Sequence, residues 1–467
     1  MRPKVLLVSP SQGRVYSGAL TQAGLPHSPV LSLATVAAGL LRAGFPVRIF
    51  DFNRAKNLES EFRLVLREFV PDFVGTTFTT PLWAEAAWIS GLVREEAPKA
   101  VLLAGGPHAS ALPEETLRES DFSAAVTGEG DFSLAEFLRA GGRPGIPGIV
   151  CKNGEKIFFS GPRELIPNLD DLPLPAWELF EIQAYRTSYL LARRNPTGWL
   201  ETSRGCVQTC RYCSKSVFGR RFRTKSPERV VEEMARMLKL GFREIHIADD
   251  NFCADSDRVL KICDLIGKSG LDLSWAPVTG VRVDCLDREL LAAMKRSGCY
   301  RIYVGVESGD QKVLDQNQKG IELDEVRRVV RCCQELDLEI FGFFMLGLPG
   351  ETEESLRETI RFARSLDFDL VKATFTIPIP GSELFAELQK GGRLKGKSWP
   401  DFNYYQVPST IYDHPNLDWG TVQKYFGRFY RGFYLNPRYV RKRLASALRN
   451  QSFFSDLKMF FRAKWWK

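Results

Sequence analysis

Three cysteines, Cys206, Cys210 and Cys213, stand with three and then two residues between them in the stretch TSRGCVQTCRYCSKSVFGRRFR, a run rich in arginine and lysine. A closed structural zinc site asks for four ligands, commonly as two spaced pairs. No second pair exists here. Cys332 and Cys333 are adjacent within a helical pattern and read as core, and Cys151, Cys253, Cys263, Cys285 and Cys299 stand alone. With four histidines in the whole chain, a zinc ribbon is not supported. Three thiolates can instead hold a four-iron cluster while one iron stays open to a small molecule. An open coordination site is a place for chemistry.

The elements that must position these cysteines follow an α/β alternation. From Leu200 onward, strands are expected near WLETSRG, EIHIADDNF, LSWAPVTGVRV, RIYVGVESG, EIFGFFMLG and LVKATFTIPIPG, separated by helices. A helix over Pro227–Leu240 has Ser226 as N-cap, Pro227 in the first position, Val230, Met234 and Leu238 on one face, and Gly241 as its stop. Another begins near Glu353, capped by Thr352, with Leu356, Ile360 and Ala363 as the inward stripe. Six such units fall short of a closed eight-stranded barrel and suit a partial (β/α)6 barrel, with reactive residues at the strand ends.

Residues 1–140 alternate in the same manner: KVLLVSP, PVRIFDF, FVGTTFT, AVLLAGGP and AAVTGEG are short apolar strands between amphipathic stretches. Strands apolar throughout imply a sheet covered on both faces, so this half reads as a doubly wound, Rossmann-like parallel sheet. Its strands end in Ser9-Pro10, Asp51–Asn53, Thr76–Thr80, Gly105–Pro107 and Gly128–Gly130. Small residues at one sheet edge favour a ligand-binding face there. The proline- and glycine-rich residues 141–198 read as a linker, 199–391 as the barrel, and 392–467 as a helical tail. That tail is basic and aromatic, in YFGRFYRGFYLNPRYVRKRL and FFSDLKMFFRAKWWK. It reads as a helical cap with an apolar underside, or as a peripheral contact with an anionic membrane.

The bulk numbers agree. At 467 residues, 44% hydrophobic and 26% charged, the chain has the composition of a globular protein of two or three domains. No run approaches the roughly 18–20 uncharged apolar residues of a membrane span. The opening MRPKVLLVSPSQG turns polar too soon for a secretory signal, so a cytoplasmic location is expected, at most peripheral at the inner membrane surface. Scattered cysteines fit that reducing compartment. A net charge of +8 permits anionic partners without requiring nucleic acid.

The CxxxCxxC triplet after a first barrel strand resembles the radical S-adenosylmethionine (SAM) enzymes, and the likeness extends to ADDNFC, GVESG, NQKG, FMLGLPGETEES and IPIPGSELF at the later strand ends. The first half, with SLATVAAGLLRAG, LAGGPHAS and TGEGD, resembles the cobalamin-binding domain that precedes the barrel in one large branch. The likeness covers about Lys4 to Gly392.

The resemblance implies a 4Fe-4S cluster held by Cys206, Cys210 and Cys213, with SAM chelating the open iron and being cleaved to methionine and a 5′-deoxyadenosyl radical. It implies Tyr212 beside the adenine, Asp249 or Asp250 near the methionine end in place of the usual Gly-Gly-Glu, and Glu307 and Ser308 near the ribose and the methionine carboxylate. Thr76, Thr77, Gly105, Gly106, Gly128 and Glu129 would line the corrin and its tail. The loop DFNRAKN lacks the histidine that some cobalamin proteins place under cobalt, and His108 reads as a loop residue, so no protein imidazole is expected there.

The function so implied is a cobalamin-dependent methyltransferase acting on an unactivated carbon, with a cyclase or ring-modifying oxidoreductase as the alternative. An iron–sulfur protein that only senses a ligand is a third reading, opposed by the GVESG and GLPGET strand ends. The implied partners are a small-molecule substrate, of hydrophobic kind such as a lipid, polyprenoid or tetrapyrrole, and an electron donor such as flavodoxin or ferredoxin.

Overall fold

The computed structural model describes residues 2–16, 27–55, 57–396 and 398–449, with side chains given to residue 444. Two α/β units are built in chain order. The first is a seven-stranded sheet of order β2-β1-β3-β4-β5-β6-β7. Strands β1 (Val5–Ser9), β2 (Val47–Asp51), β3 (Phe73–Thr77), β4 (Val101–Gly105) and β5 (Ala124–Val126) are parallel. Val5, Leu6, Leu7 and Val8 are buried on both faces of β1, as an apolar run between two helical layers requires.

β6 (Ile149–Asn153) and β7 (Lys156–Phe159) add to this sheet antiparallel. They fall inside the stretch 141–198 that the sequence offers as a linker. Proline and glycine there mark the turns around a hairpin as well as a crossing. The rest of that stretch is a strap, with Trp177 buried and the Ala176 N–H donating to the Ala34 carbonyl at 2.9 Å.

The second unit holds the six expected strands: β8 (Thr197–Leu200), β11 (Glu244–Ile247), β12 (Ser274–Pro277), β13 (Arg301–Glu307), β14 (Glu339–Leu346) and β15 (Leu370–Phe375). They form two parallel three-stranded sheets, β12-β11-β8 and β13-β14-β15, joined by the bridges Trp275–Cys299 and Val281–Val304. A short antiparallel pair, β9 (Ser203–Arg204) and β10 (Arg223–Thr224), brackets the cysteine loop. The helices Pro227–Lys239 and Glu353–Ser365 are capped as the sequence predicts, Ser226 accepting from the Arg229 N–H and Thr352 from the Ser355 N–H.

A partial barrel leaves an open edge of unpaired backbone groups. Here helix Trp419–Tyr434 covers β15. Its Tyr430 hydroxyl accepts from the Ala373 N–H at 2.9 Å and donates to the Ala373 carbonyl at 3.0 Å. The Tyr434 hydroxyl does the same to Val371, at 3.1 and 2.7 Å. The aromatic tail therefore has an apolar underside that serves the barrel. Helix Pro437–Arg449 follows, with Leu435, Val440 and Leu444 exposed near it; residues 450–467 lie outside the described set. Among the described residues, no helix is long and apolar enough to cross a membrane.

Candidate functional site

The cysteine loop leaves the carboxyl end of β9 and is held from three sides. Arg211 donates its N–H to the Asn317 carbonyl at 3.2 Å and its guanidinium to Glu383 and Glu387, which ties the loop to the NQKG turn and to helix Glu383–Lys390. The Gly205 N–H donates to the Asp250 carboxylate at 3.1 Å. Cys206 is buried, and Cys210 and Cys213 are half-buried. Burial pushes the Cys213 thiol up, against the pull of Lys215 beside it, and Lys215 also lies in the field of Cys206. Three unpaired thiols on one loop fit a cluster that takes one thiolate per iron.

Against this loop lies a cavity of about 470 Å³, walled by Tyr212, Cys213, Glu307, Phe343, Met345 and Phe402 among others. Tyr212 has its hydroxyl buried beside Cys210, and burial, with Glu307 nearby, pushes its pKa far up. Glu307 breaks the β13 register and holds φ at +68°, a conformation that costs a non-glycine residue about 1–2 kcal/mol. Its carboxylate accepts from Lys319 at 2.8 Å. Gly305 makes room for that pair: a Cβ there would lie 2.6 Å from the Glu307 Oε1 and 2.9 Å from the Lys319 Nζ.

A second cavity, of about 690 Å³, lies between the two units. Thr76, Thr77, Gly105, Gly106 and Gly128 line it on one side; Trp199, Asp250 and the loop Ser214–Gly219 line it on the other. Thr76 Oγ1 is buried there without a partner. Gly106 sits at φ +91°, where a Cβ would come within 2.8 Å of both the Phe78 carbonyl and Thr77 Oγ1. This wall of backbone and small side chains fits a flat macrocycle and its tail. The two cavities share Thr79, Pro107 and Ser214.

Three expected contacts are placed otherwise. Asp249 is fully buried and accepts from the Thr202 N–H at 2.6 Å, the Thr202 hydroxyl at 2.5 Å and the Ser203 hydroxyl at 2.7 Å. It anchors the strand end that leads to the cysteines, which leaves Asp250 as the acid facing a cavity. Ser308 is buried, pairs with the Thr359 hydroxyl at 3.2 Å and accepts from the Asp310 N–H. Its role is to close a turn. Glu129 reaches the second cavity's wall, but its carboxylate accepts from Arg204 at 2.8 Å, Arg223 at 2.9 Å and the Ile166 N–H at 2.7 Å.

That last contact belongs to an ion cluster between the units. Arg204, almost wholly buried, also pairs with Asp131 at 2.9 Å and with Glu201 at 2.7 Å. Sequence reading missed Arg204, Arg223 and Lys319. The signal for the first two was the basic run around the cysteines, and for the third the NQKG motif itself.

His108 lies behind the second cavity, not on it. It is fully buried among Phe78, Trp83 and Trp399, its Nδ1 meets Thr80 Oγ1 at 3.1 Å, and burial pushes its pKa down to about 4. In the DFNRAKN loop, Asp51 accepts from the Tyr185 hydroxyl at 2.8 Å and from Asn53. No histidine described here faces the corrin-sized space.

The chain matches the radical SAM superfamily over residues 200–363 and the B12 binding domain over residues 18–138. A protein named as an uncharacterized methyltransferase of Pyrococcus horikoshii is 31% identical over 446 residues, covering 94% of each chain. The anaerobic magnesium-protoporphyrin IX monomethyl ester cyclase of Rubrivivax gelatinosus is 26% identical over 94% of this chain and 78% of its own. The radical S-adenosylmethionine methyltransferase TsrM of Kitasatospora setae, solved with cobalamin and a [4Fe-4S] cluster, shares the fold with a TM-score of 0.69 at 20% identity, over 84% of this chain and 75% of that one.

Proposed function

The chain belongs to the radical SAM superfamily, in the branch that carries a B12-binding domain ahead of the barrel, and we propose that it methylates an unactivated carbon of a small molecule. The observation that carries this reading is the meeting of the two cavities at Thr79, Pro107 and Ser214, beside the cysteine loop. When bound, the cluster and SAM supply a 5′-deoxyadenosyl radical, and cobalamin, recharged from a second SAM, supplies the methyl group.

The chain's own residues do the rest. Cys206, Cys210 and Cys213 would hold the cluster. Tyr212 and the Glu307–Lys319 pair would orient SAM, the carboxylate accepting from a ribose hydroxyl while Lys319 holds it in place. Thr76, Thr77, Gly105, Gly106 and Gly128 would receive the corrin, with Asp250 opposite. Phe343, Phe344, Met345 and Phe402 exclude water from the reacting carbon, which protects a radical from quenching. The electron comes from a flavodoxin or ferredoxin. The substrate is in part hydrophobic, of lipid, polyprenoid or tetrapyrrole kind. Peripheral membrane contact is supported by helix Pro437–Arg449, where Val440 and Leu444 are exposed along with Arg441, while Arg438 and Lys442 pair with Asp367 and Asp369 of the barrel.

The test is product mass after turnover of the reconstituted protein with methyl-deuterated SAM and a panel of such substrates. Methyl transfer adds a labelled methyl carbon. The likeness to the cyclase favours a second reading, ring formation without methyl transfer, in which SAM is cleaved and no labelled carbon appears in the product.

A further inference from the structure

The cavity of about 470 Å³ has one glutamate and one lysine in its wall, Glu307 and Lys372. They differ in one respect. Glu307 is answered by Lys319 at 2.8 Å. Lys372 has no carboxylate and no hydrogen-bond acceptor within reach among the described residues, and its Nζ lies 5.1 Å from the centre of the Tyr405 ring. It stands on β15 between Val371 and Ala373, whose backbone groups the tail tyrosines satisfy, so strand alternation sends Lys372 and Thr374 together into the barrel. Its register partner is Phe343, and that of Thr374 is Met345. The ring cluster Tyr303, Phe341 and Phe343, with centroids 5.0–5.8 Å apart, builds the apolar surroundings below.

Lys372 is half-buried at the cavity wall with no described acceptor, so a ligand that brings an anion there gains a charge-assisted hydrogen bond. We propose that Lys372 is the specificity residue for an anionic group, a carboxylate or a phosphoryl or phosphonyl oxyanion, carried by a substrate whose remaining body is apolar. The anion would sit at the level of Lys372, one register step deeper than Glu307 and two deeper than Thr374. Glu307, one register step nearer the strand ends, repels an anion from the position next to the cysteines. The substrate is thereby oriented, acid inward and reacting carbon toward the cysteine loop. This rests on reading the cavity as the substrate site.

The experiment uses the full chain reconstituted with cluster and cobalamin and saturated with SAM. Three probes of one body and different heads are compared by equilibrium dialysis: phenylbutyrate, phenylbutylphosphonate and phenylbutyramide. The expected result is that one or both acids bind about tenfold or more above the amide, the size of a hydrogen bond to a charged partner. The better acid names the head group. Lys372→Gln, checked for retained cluster absorbance, should bind acid and amide alike; Lys372→Arg should keep the preference. Equal binding of all three by the unmodified chain, none of them binding included, or a preference that survives Lys372→Gln, would overturn the proposal. SAM cleavage measured on the same sample separates the two readings. Cleavage without anion preference removes Lys372 alone, whereas absent cleavage removes the function assigned to the site.

Discussion

The two cavities are made differently. The one between the units has backbone and small side chains along the sheet edge, Thr76, Thr77, Gly105, Gly106 and Gly128, with larger groups such as Trp199 and Phe218 on the facing side. The one inside the barrel is walled by large side chains, Phe343, Phe344, Met345, Phe402 and Tyr404, with Lys372 and Glu307 among them. A wall of backbone has a fixed shape and suits one large, invariant ligand. A wall of side chains can be recut by single substitutions, and suits the part of the reaction that distinguishes one enzyme of this kind from another. Under the proposed function, the corrin would meet mostly main chain and small side chains, and SAM and substrate would meet larger side chains.

The largest effect expected silences both cavities. Cys206→Ala, Cys210→Ala or Cys213→Ala should abolish the cluster's visible absorbance and all SAM cleavage, because two thiolates do not hold the cube. Cys332→Ala and Cys333→Ala should leave iron content nearly unchanged, as assayed by iron and sulfide analysis. Full cleavage by Cys210→Ala would break the comparison at its root.

A pH titration sharpens the side-chain half. Glu351, behind the end of β14, is fully buried, and burial pushes its pKa up to about 8, although the Gly347 and Leu348 N–H groups donate to it. The folded chain holds this proton more tightly than the unfolded one. Its contribution to stability is therefore complete below about pH 4.5 and is lost as pH rises through about 8, on the order of a few kcal/mol in all. Thermal unfolding across that range should show the decline in the unmodified chain and a flatter profile in Glu351→Gln. Parallel profiles would mean that Glu351 titrates as an ordinary carboxylate.

Glu307 tests whether the barrel cavity holds SAM. A hydrogen bond to a charged acceptor contributes about 1.5–3 kcal/mol, so Glu307→Ala should weaken SAM binding about ten- to a hundredfold with the cluster still assembled. Glu307→Gln, which keeps the shape, should lose less. Unchanged affinity in Glu307→Ala would make the Lys319 pair a purely structural one.

For the backbone wall the contrast lies between neighbouring glycines. Gly106→Ala forces a side chain into φ +91° and against two atoms at 2.8 Å, and should destabilise the chain by about 1–3 kcal/mol. Gly105→Ala has its nearest neighbour at 4.0 Å, so it should leave stability within about 0.5 kcal/mol and reduce cobalamin retention only. Denaturant melts and cobalamin retention on a desalting column separate the two. The smallest signal is a null one: the nitrogen superhyperfine pattern of cob(II)alamin in the loaded protein should be unaltered in His108→Phe, since His108 is buried off the cavity wall. A pattern that changes with His108 would contradict that placement.

Legibility in the sequence followed the same division. The six barrel strands, the caps Ser226 and Thr352 and the glycine-lined sheet edge depend on local pattern and were readable. Asp249, Ser308 and Glu129 are residue types that could touch a ligand, but their partners lie 47, 51 and 75 residues away in the chain, so nothing local shows that they are already engaged. The β6–β7 hairpin was hidden because glycine and proline announce turns without saying what they connect. Lys372 sits in a strand whose alternation was visible, yet only the missing counterion gives it meaning, and that requires the third dimension.

The ion cluster at Arg204 bears on how the molecule comes apart. Two arginines from the barrel unit are buried against Glu129 and Asp131 of the first unit, and stripping one partner from a buried pair costs about 3–5 kcal/mol. Neither unit can therefore melt and leave the other at rest. Calorimetry on the intact chain should record a single endotherm, and a barrel produced without residues 1–160 should reach its folded state poorly, because the segment that delivers Cys206 is anchored by carboxylates on the missing half. Iron loading should then depend on the amino-terminal sheet, and the truncated barrel should take up little iron under conditions that load the intact chain.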